Sequence, residues 1–175
     1  MADFLPAVQQ VLKLEGSEYT DLPQDKGGGT KFGITETFDY AKAVKDGLIP
    51  LKTQIKNITQ DQAIAIYKKL YWDACPNVAN IKNQKLANKV FSAMVNIGTD
   101  MAVYLLQETL NEIIGYKLKM DGDFGKYTIN AVNDSNNIIV LNFYKQTLVR
   151  YYERLVERVP SDSIFLKGWL RRSNS

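Results

Sequence analysis

Apolar residues recur at helical spacing along almost the whole chain, and residues 16–33, where Gly, Pro, Asp and Thr accumulate, are the main interruption. Before it, Leu5, Val8, Val11 and Leu12 form a stripe that Asp3 can cap and that tolerates Pro6 in its first turn. After it, Thr35 can cap a helix running to Asp46 and stopped by Gly47, and Thr59 with Gln62 forms a capping box ahead of AIAIYKKLYWDA. LANKVFSAMVNIG and MAVYLLQETLNEIIG each close on a glycine, IIVLNFYKQTLVRYYERLV runs on to Pro160, and FLKGWLRR offers Trp169 as a docking anchor. Strands and helices do not alternate, so no doubly wound sheet is expected. The expected fold is mainly α, with about seven helices and a small β hairpin region near residues 19–34.

The 175 residues suffice for a real core without disulfides, and Cys75, the only cysteine, reads as a small core hydrophobe. The chain contains no histidine. That removes Ser-His-Asp and Cys-His nucleophilic sites, His-ligated zinc and imidazole acid-base chemistry together, leaving Asp, Glu, Lys, Tyr and hydroxyls. A formal charge of +3, from 22 basic against 19 acidic residues, is too mild and scattered for a nucleic-acid binder. MADFLPAVQQVLKLEGSEY has neither a basic n-region nor an unbroken apolar run, so a signal peptide is not expected, and neither is membrane insertion.

Glu15 continues the first apolar stripe, immediately before the loop EGSEYTDLPQDKGGGTKFGIT. A carboxyl placed there either turns to solvent at a frayed helix end or loses hydration, which favours the protonated form that a general acid needs. Asp21, Asp25 and Thr30 follow in the turn-rich segment, where a loop folding back can set a second carboxylate and a hydroxyl opposite Glu15. Hydrolysis of a glycosidic bond needs such a pairing: one carboxyl protonates the leaving oxygen, while an ionised group stabilises the oxocarbenium-like state or activates water. A carboxyl separation of about 5–5.5 Å means retention of configuration and roughly 6.5–9.5 Å means inversion.

The glycines Gly27, Gly28 and Gly29 suit a tight hairpin turn or a close backbone approach to a polymer, and these readings are compatible. DGDFG reads as a tight turn before a helix capped near Thr128. Asn96, in an N-x-G with Gly98, either bonds a sugar or caps a helix end. Tyr19, Phe32, Tyr40, Tyr71 and Trp72 offer rings for sugar stacking, against the competing demand of the core.

With Glu-Gly, an acidic proline-containing loop, D-x-G-G, a threonine and G-I-T, the segment resembles glycoside hydrolase family 108, the N-acetylmuramidase-type lysozymes. VFSAMVNIGTDMAVYLLQETLN followed by LKMDGDFGKYTINAV is similar to the predicted peptidoglycan-binding region that follows the catalytic segment in that family. The resemblance covers most of residues 8–170. It implies a single lysozyme-like domain over residues 1–175, with a catalytic lobe of about residues 1–80 and a peptidoglycan-binding-like lobe of about 81–175.

The resemblance also implies Glu15 as proton donor. Glu15, Asp25 and Thr30 look like the Glu, Asp, Thr triplet of phage-type lysozymes, and Tyr19, Gly28, Phe32 and Asn96 stand as substrate-binding candidates. The family's Glu-Gly-Gly-Tyr is here Glu15, Gly16, Ser17, Glu18, Tyr19, as if one residue were inserted, which leaves Asp21 as the alternative to Asp25. The implied activity is hydrolysis of the β-1,4 bond between N-acetylmuramic acid and N-acetylglucosamine in peptidoglycan strands, without metal or organic cofactor. A monomer acting on the bacterial wall after release or export from the cytoplasm is expected. The alternatives are a lytic transglycosylase using Glu15 alone and a non-catalytic wall-binding or secretion-assisting module.

Overall fold

The computed structural model describes residues 1–21 and 28–175. It divides into two compact units, Phe4–Ala74 and a second made of Met1–Asp3 with Cys75–Ser175. The mainly helical expectation holds, with eight α-helices and one two-stranded antiparallel sheet among the described residues.

In the first unit, α1 (Phe4–Glu15) buries Ala7, Val8 and Val11 on one face, while Leu5, expected on the buried stripe, is 56% exposed and Leu12 is half-buried. The strands β1 (Thr30–Lys31) and β2 (Ile34–Thr35) pair with Thr30 opposite Thr35 and Lys31 opposite Ile34. Their connecting residues Phe32 and Gly33 both have positive φ, 54° and 78°, the geometry of a two-residue hairpin turn whose twist matches the strands. The β1–β2 hairpin therefore turns at Phe32–Gly33.

The next helix also differs from the expectation. A π-helical turn, Glu36–Tyr40, precedes α2 (Ala41–Lys45), and the Thr35 side chain makes no cap hydrogen bond. The roles are reversed: the buried Asp39 carboxylate accepts from the Thr35 N–H at 3.0 Å and from its hydroxyl at 2.8 Å. The capping box at α3 (Gln60–Tyr67) forms as expected, Thr59 and Gln62 each accepting from the other's backbone. Beyond Tyr67 the chain continues as a second π turn, Lys68–Trp72. Trp72 packs edge-on against Phe4, with centroids 5.5 Å apart, and is nearly inaccessible.

In the second unit, α4 (Gln84–Ile97) and α5 (Thr99–Ile114) are joined by Gly98 alone, at φ 83° and ψ 153°, a backbone state open essentially to glycine. The helices α6 (Lys126–Asp134), α7 (Asn137–Arg158) and α8 (Ser163–Asn174) complete it. The α6 helix begins two residues before Thr128, with Gly125 at its cap position, and Thr128 instead donates to the Asp123 carbonyl. The core of this unit buries Val90, Phe91 and Met94 of α4, Val103 and Leu106 of α5 and Tyr144 and Leu148 of α7, each worth roughly 1.5–3 kcal/mol for an aliphatic or Phe side chain taken from water. Polar groups inside it are matched: Tyr144 donates to the Ala102 carbonyl at 2.8 Å, and the Thr109 and Thr147 hydroxyls meet at 3.0 Å. Trp169 stacks on Tyr152 at 5.1 Å, so α8 docks through the expected anchor.

Lys89 in α4 is 2% exposed, and its amine donates to the Arg172 carbonyl at 2.6 Å and to Ser175 Oγ at 3.2 Å. Burial, reinforced by the Lys145 charge, lowers this amine to about 7. Between about pH 7 and the ordinary lysine range the unfolded chain then carries a proton there that the folded chain lacks, so folding stability rises with pH across that window. The thermal midpoint is expected to climb from pH 7 to about pH 9, below tyrosine ionisation, and Lys89→Met is expected to flatten that climb. A midpoint in the wild-type protein that falls over this interval would contradict the assignment.

Candidate active site

Within the first unit, the last residue of α1 meets the hairpin turn. A Cβ added at Gly33 would lie 2.5 Å from Glu15 Cγ, 2.9 Å from Glu15 Cδ and 2.5 Å from the Tyr67 hydroxyl oxygen. The half-buried Glu15 side chain thus rests directly on the Gly33 backbone, in space that only a glycine leaves open. The buried Tyr67 hydroxyl donates to the Phe32 carbonyl at 2.8 Å and holds the turn residue whose positive φ is unfavourable for an aromatic side chain.

Segment 28–30 lies beside Thr20, to which Thr30 is bridged by backbone hydrogen bonds of 2.9 and 2.7 Å. The Thr30 hydroxyl donates to the Gly28 carbonyl at 3.4 Å. Gly28 has φ 73°, and Gly29 is covered by Tyr19, whose Cε2 would stand 2.8 Å from an added Cβ. Gly29 therefore serves a close approach, here to the Tyr19 ring, while a Cβ at Gly28 would meet the Glu36 side chain at 3.4 Å; Gly27 lies outside the described residues. Desolvation, with the Asp21 and Glu36 carboxylates beside it, holds the Tyr19 phenol above its usual range.

A groove of about 380 Å³ opens along Tyr19, Glu36, Tyr40, Leu51, Thr53 and Lys56, within the size range of small-ligand clefts. Tyr40 and Tyr71 are tied down by their hydroxyls, Tyr40 to the Thr53 carbonyl and Tyr71 to Asp39 at 2.6 Å. Burial and the Asp39 charge push the Tyr71 phenol far up. Phe32 is 9% exposed and Trp72 7%, so both rings are largely committed to the interior.

The sequence matches the model of the family Glycosyl hydrolase 108 over residues 8–98, and that of a Predicted Peptidoglycan domain over residues 101–174. The chain belongs to glycosyl hydrolase family 108. Among solved structures this family 108 protein is similar to that of Brucella abortus SagA, with 24% identity and a TM-score of 0.74 over 98% of this chain and 89% of that chain. At that identity the likeness speaks for the fold. No curated protein matches the sequence. Family membership makes the chain a glycosidase of the peptidoglycan-hydrolysing kind, with peptidoglycan as its macromolecular partner.

Of the residues singled out in the family 108 sequence, the structure places Glu15, Tyr19, Gly28, Thr30 and Phe32 in the first unit. Asp25 lies outside the described residues. Asn96 belongs to the second unit, where its side-chain oxygen accepts from the Tyr152 hydroxyl. Two further residues join the neighbourhood. Tyr67 looks like an ordinary stripe residue in sequence, and Glu36 like an ordinary first-turn acid. Yet the Glu36 N–H donates to the Gly29 carbonyl at 2.9 Å, and its carboxylate accepts from the Gly29 N–H at 3.4 Å.

Gly33→Ala is expected to cost about 1–3 kcal/mol of stability and to displace the Glu15 carboxyl, so that wall hydrolysis falls well beyond the loss of folded protein. Gly47→Ala provides the comparison, since Gly47 also has positive φ, 76°, but an added Cβ there meets open space. Its stability should drop while activity per folded molecule is kept. Equal specific activities in the two variants would show that the contact with Glu15 does not matter.

Proposed function

We propose that the protein is a lysozyme-type N-acetylmuramidase that hydrolyses the β-1,4 bond between N-acetylmuramic acid and N-acetylglucosamine, with Glu15 as general acid. The observation that carries this reading is the seat of Glu15: a carboxyl at a helix end, half-buried and packed against a hairpin turn, in a chain without histidine. A rigid, partly desolvated carboxyl is what protonation of a glycosidic leaving group requires. Asp25, assisted by Thr30, supplies the ionised partner that stabilises the oxocarbenium-like state or activates water. Sugar rings lie along the groove that begins at Tyr19 and Glu36. The bacterial cell wall is then the place of action.

Replacing Glu15 by Gln removes the acid function and little else. Turnover on purified cell walls is expected to fall at least about 100-fold, with the thermal midpoint near that of the wild type. Undiminished lysis by Glu15→Gln would end the catalytic assignment. Mass spectrometry of the digest should show reducing muramic acid ends carrying one added water; anhydro ends would make the protein a lytic transglycosylase. Asp25→Ala is expected to cripple turnover and Asp21→Ala to spare most of it, whereas the reverse pattern would transfer the role to Asp21.

A further inference from the structure

The second unit holds a cavity of about 220 Å³ that the hydrolytic chemistry does not use. Gln107 lines it, and Asn111, one turn further along α5, fixes the lining residue Leu118. Asn111 exchanges hydrogen bonds with Leu118, its Nδ2 donating to the carbonyl at 2.9 Å and its Oδ1 accepting from the N–H at 2.8 Å. Gln107, 1% exposed, accepts from the Asp121 and Gly122 N–H groups at 3.1 and 3.0 Å and donates to Asp121 Oδ1, the Asp123 carbonyl and Thr128 Oγ1 at 3.0–3.1 Å. Gly122 lies so close to the start of α5 that an added Cβ would stand 2.6 Å from the Asp100 carbonyl. Both ends of the segment 117–123 are thus held in place before any ligand arrives.

The charges around this cavity are mixed in sign. Lys117 and Lys119 line it together with Asp121 and Asp123, and the exposed ring of Tyr127 stands at the mouth. Lys119 pairs with Asp121 at 3.4 Å, but with side chains 86% and 31% exposed. Such a pair is worth about 0–1 kcal/mol, so exchanging it for ligand charges costs little. Neither Lys117 nor Asp123 takes part in an ion pair among the described residues. One ammonium and one carboxylate at a preorganised rim are therefore uncommitted.

We propose that this cavity binds the stem peptide of peptidoglycan, with the lysines taking its carboxylates and Asp123 the free amine of its diamino acid. The proposal rests on the peptidoglycan reading above and names the part of the polymer that the second unit recognises. The sugar chain carries no counterpart for these charges, because its muramic carboxyls are consumed in the amide bonds to the peptides. The stem peptide is a zwitterion, with free carboxylates and, wherever it is not cross-linked, an ammonium group. Complementarity of both signs favours it over the glycan.

Calorimetric titration of the intact protein decides the matter, with a free stem tripeptide ending in a diamino acid as one probe and chitotetraose as the other. Neither probe contains the muramyl bond. The tripeptide is expected to bind and to weaken between about 0.05 and 0.5 M salt. Lys117→Gln and Asp123→Asn should each weaken it about five- to tenfold with the thermal midpoint unchanged, while Glu15→Gln should bind it as the wild type does. Absence of tripeptide binding, indifference to both substitutions, or displacement by chitotetraose would overturn the proposal. Failure to release reducing ends from cell walls would instead count against the hydrolase reading, and it is read in a separate assay.

Discussion

The contact between the Glu15 side chain and the backbone of Gly33 is the constraint on which the first unit of this molecule is arranged. It demands a residue without Cβ, and it demands that the turn bearing that residue stay where it is. The Tyr67 hydroxyl meets the second demand by bonding the Phe32 carbonyl from α3, and Asp39 braces the strand end by binding Thr35 and Tyr71. A hairpin of four paired residues is marginal on its own. Here it is held by helix-borne groups, and that rigidity carries over to the carboxyl that rests on it.

The second unit shows the same principle with different parts. Its charged rim rides on an irregular segment, yet that segment is made rigid by Gln107 and Asn111, whose amides stand in for strand partners. In both units helix-borne polar groups hold a short irregular segment in place. Buried amides and hydroxyls can do this because leaving any of them unpaired costs about 1–3 kcal/mol, so alternative loop positions are penalised.

Much of the helical architecture was legible because helices repeat locally. The Val8 and Val11 part of the first stripe, the Thr59–Gln62 box and the Trp169 anchor each announce themselves within a few residues, and each appears in the structure, whereas Leu5 of the same stripe is exposed. The misreadings fall where one local pattern admits two geometries. Residues 36–46 and 60–72 look like uninterrupted α-helix, but each contains a π turn, and these turns carry the buried Asp39 and Trp72. Likewise the turn at Phe32–Gly33 is weakly signalled in sequence, because a Phe at φ 54° needs the distant Tyr67 to hold it.

The amino-acid sequence by itself determined the mainly helical class, the exclusion of histidine chemistry and the acid at the end of the first helix, since composition and periodicity are properties of neighbouring residues. Family membership lay in the same string, in the glycine-rich segment after Glu15 and the DGDFG turn. Only the tertiary structure decided what the acid touches, that Glu36 and Tyr67 stand in the same neighbourhood, and that four charges of both signs share one cavity. Those are distances between residues far apart in the chain. They are set by how buried faces pack and by which polar groups find partners, and no local pattern encodes them.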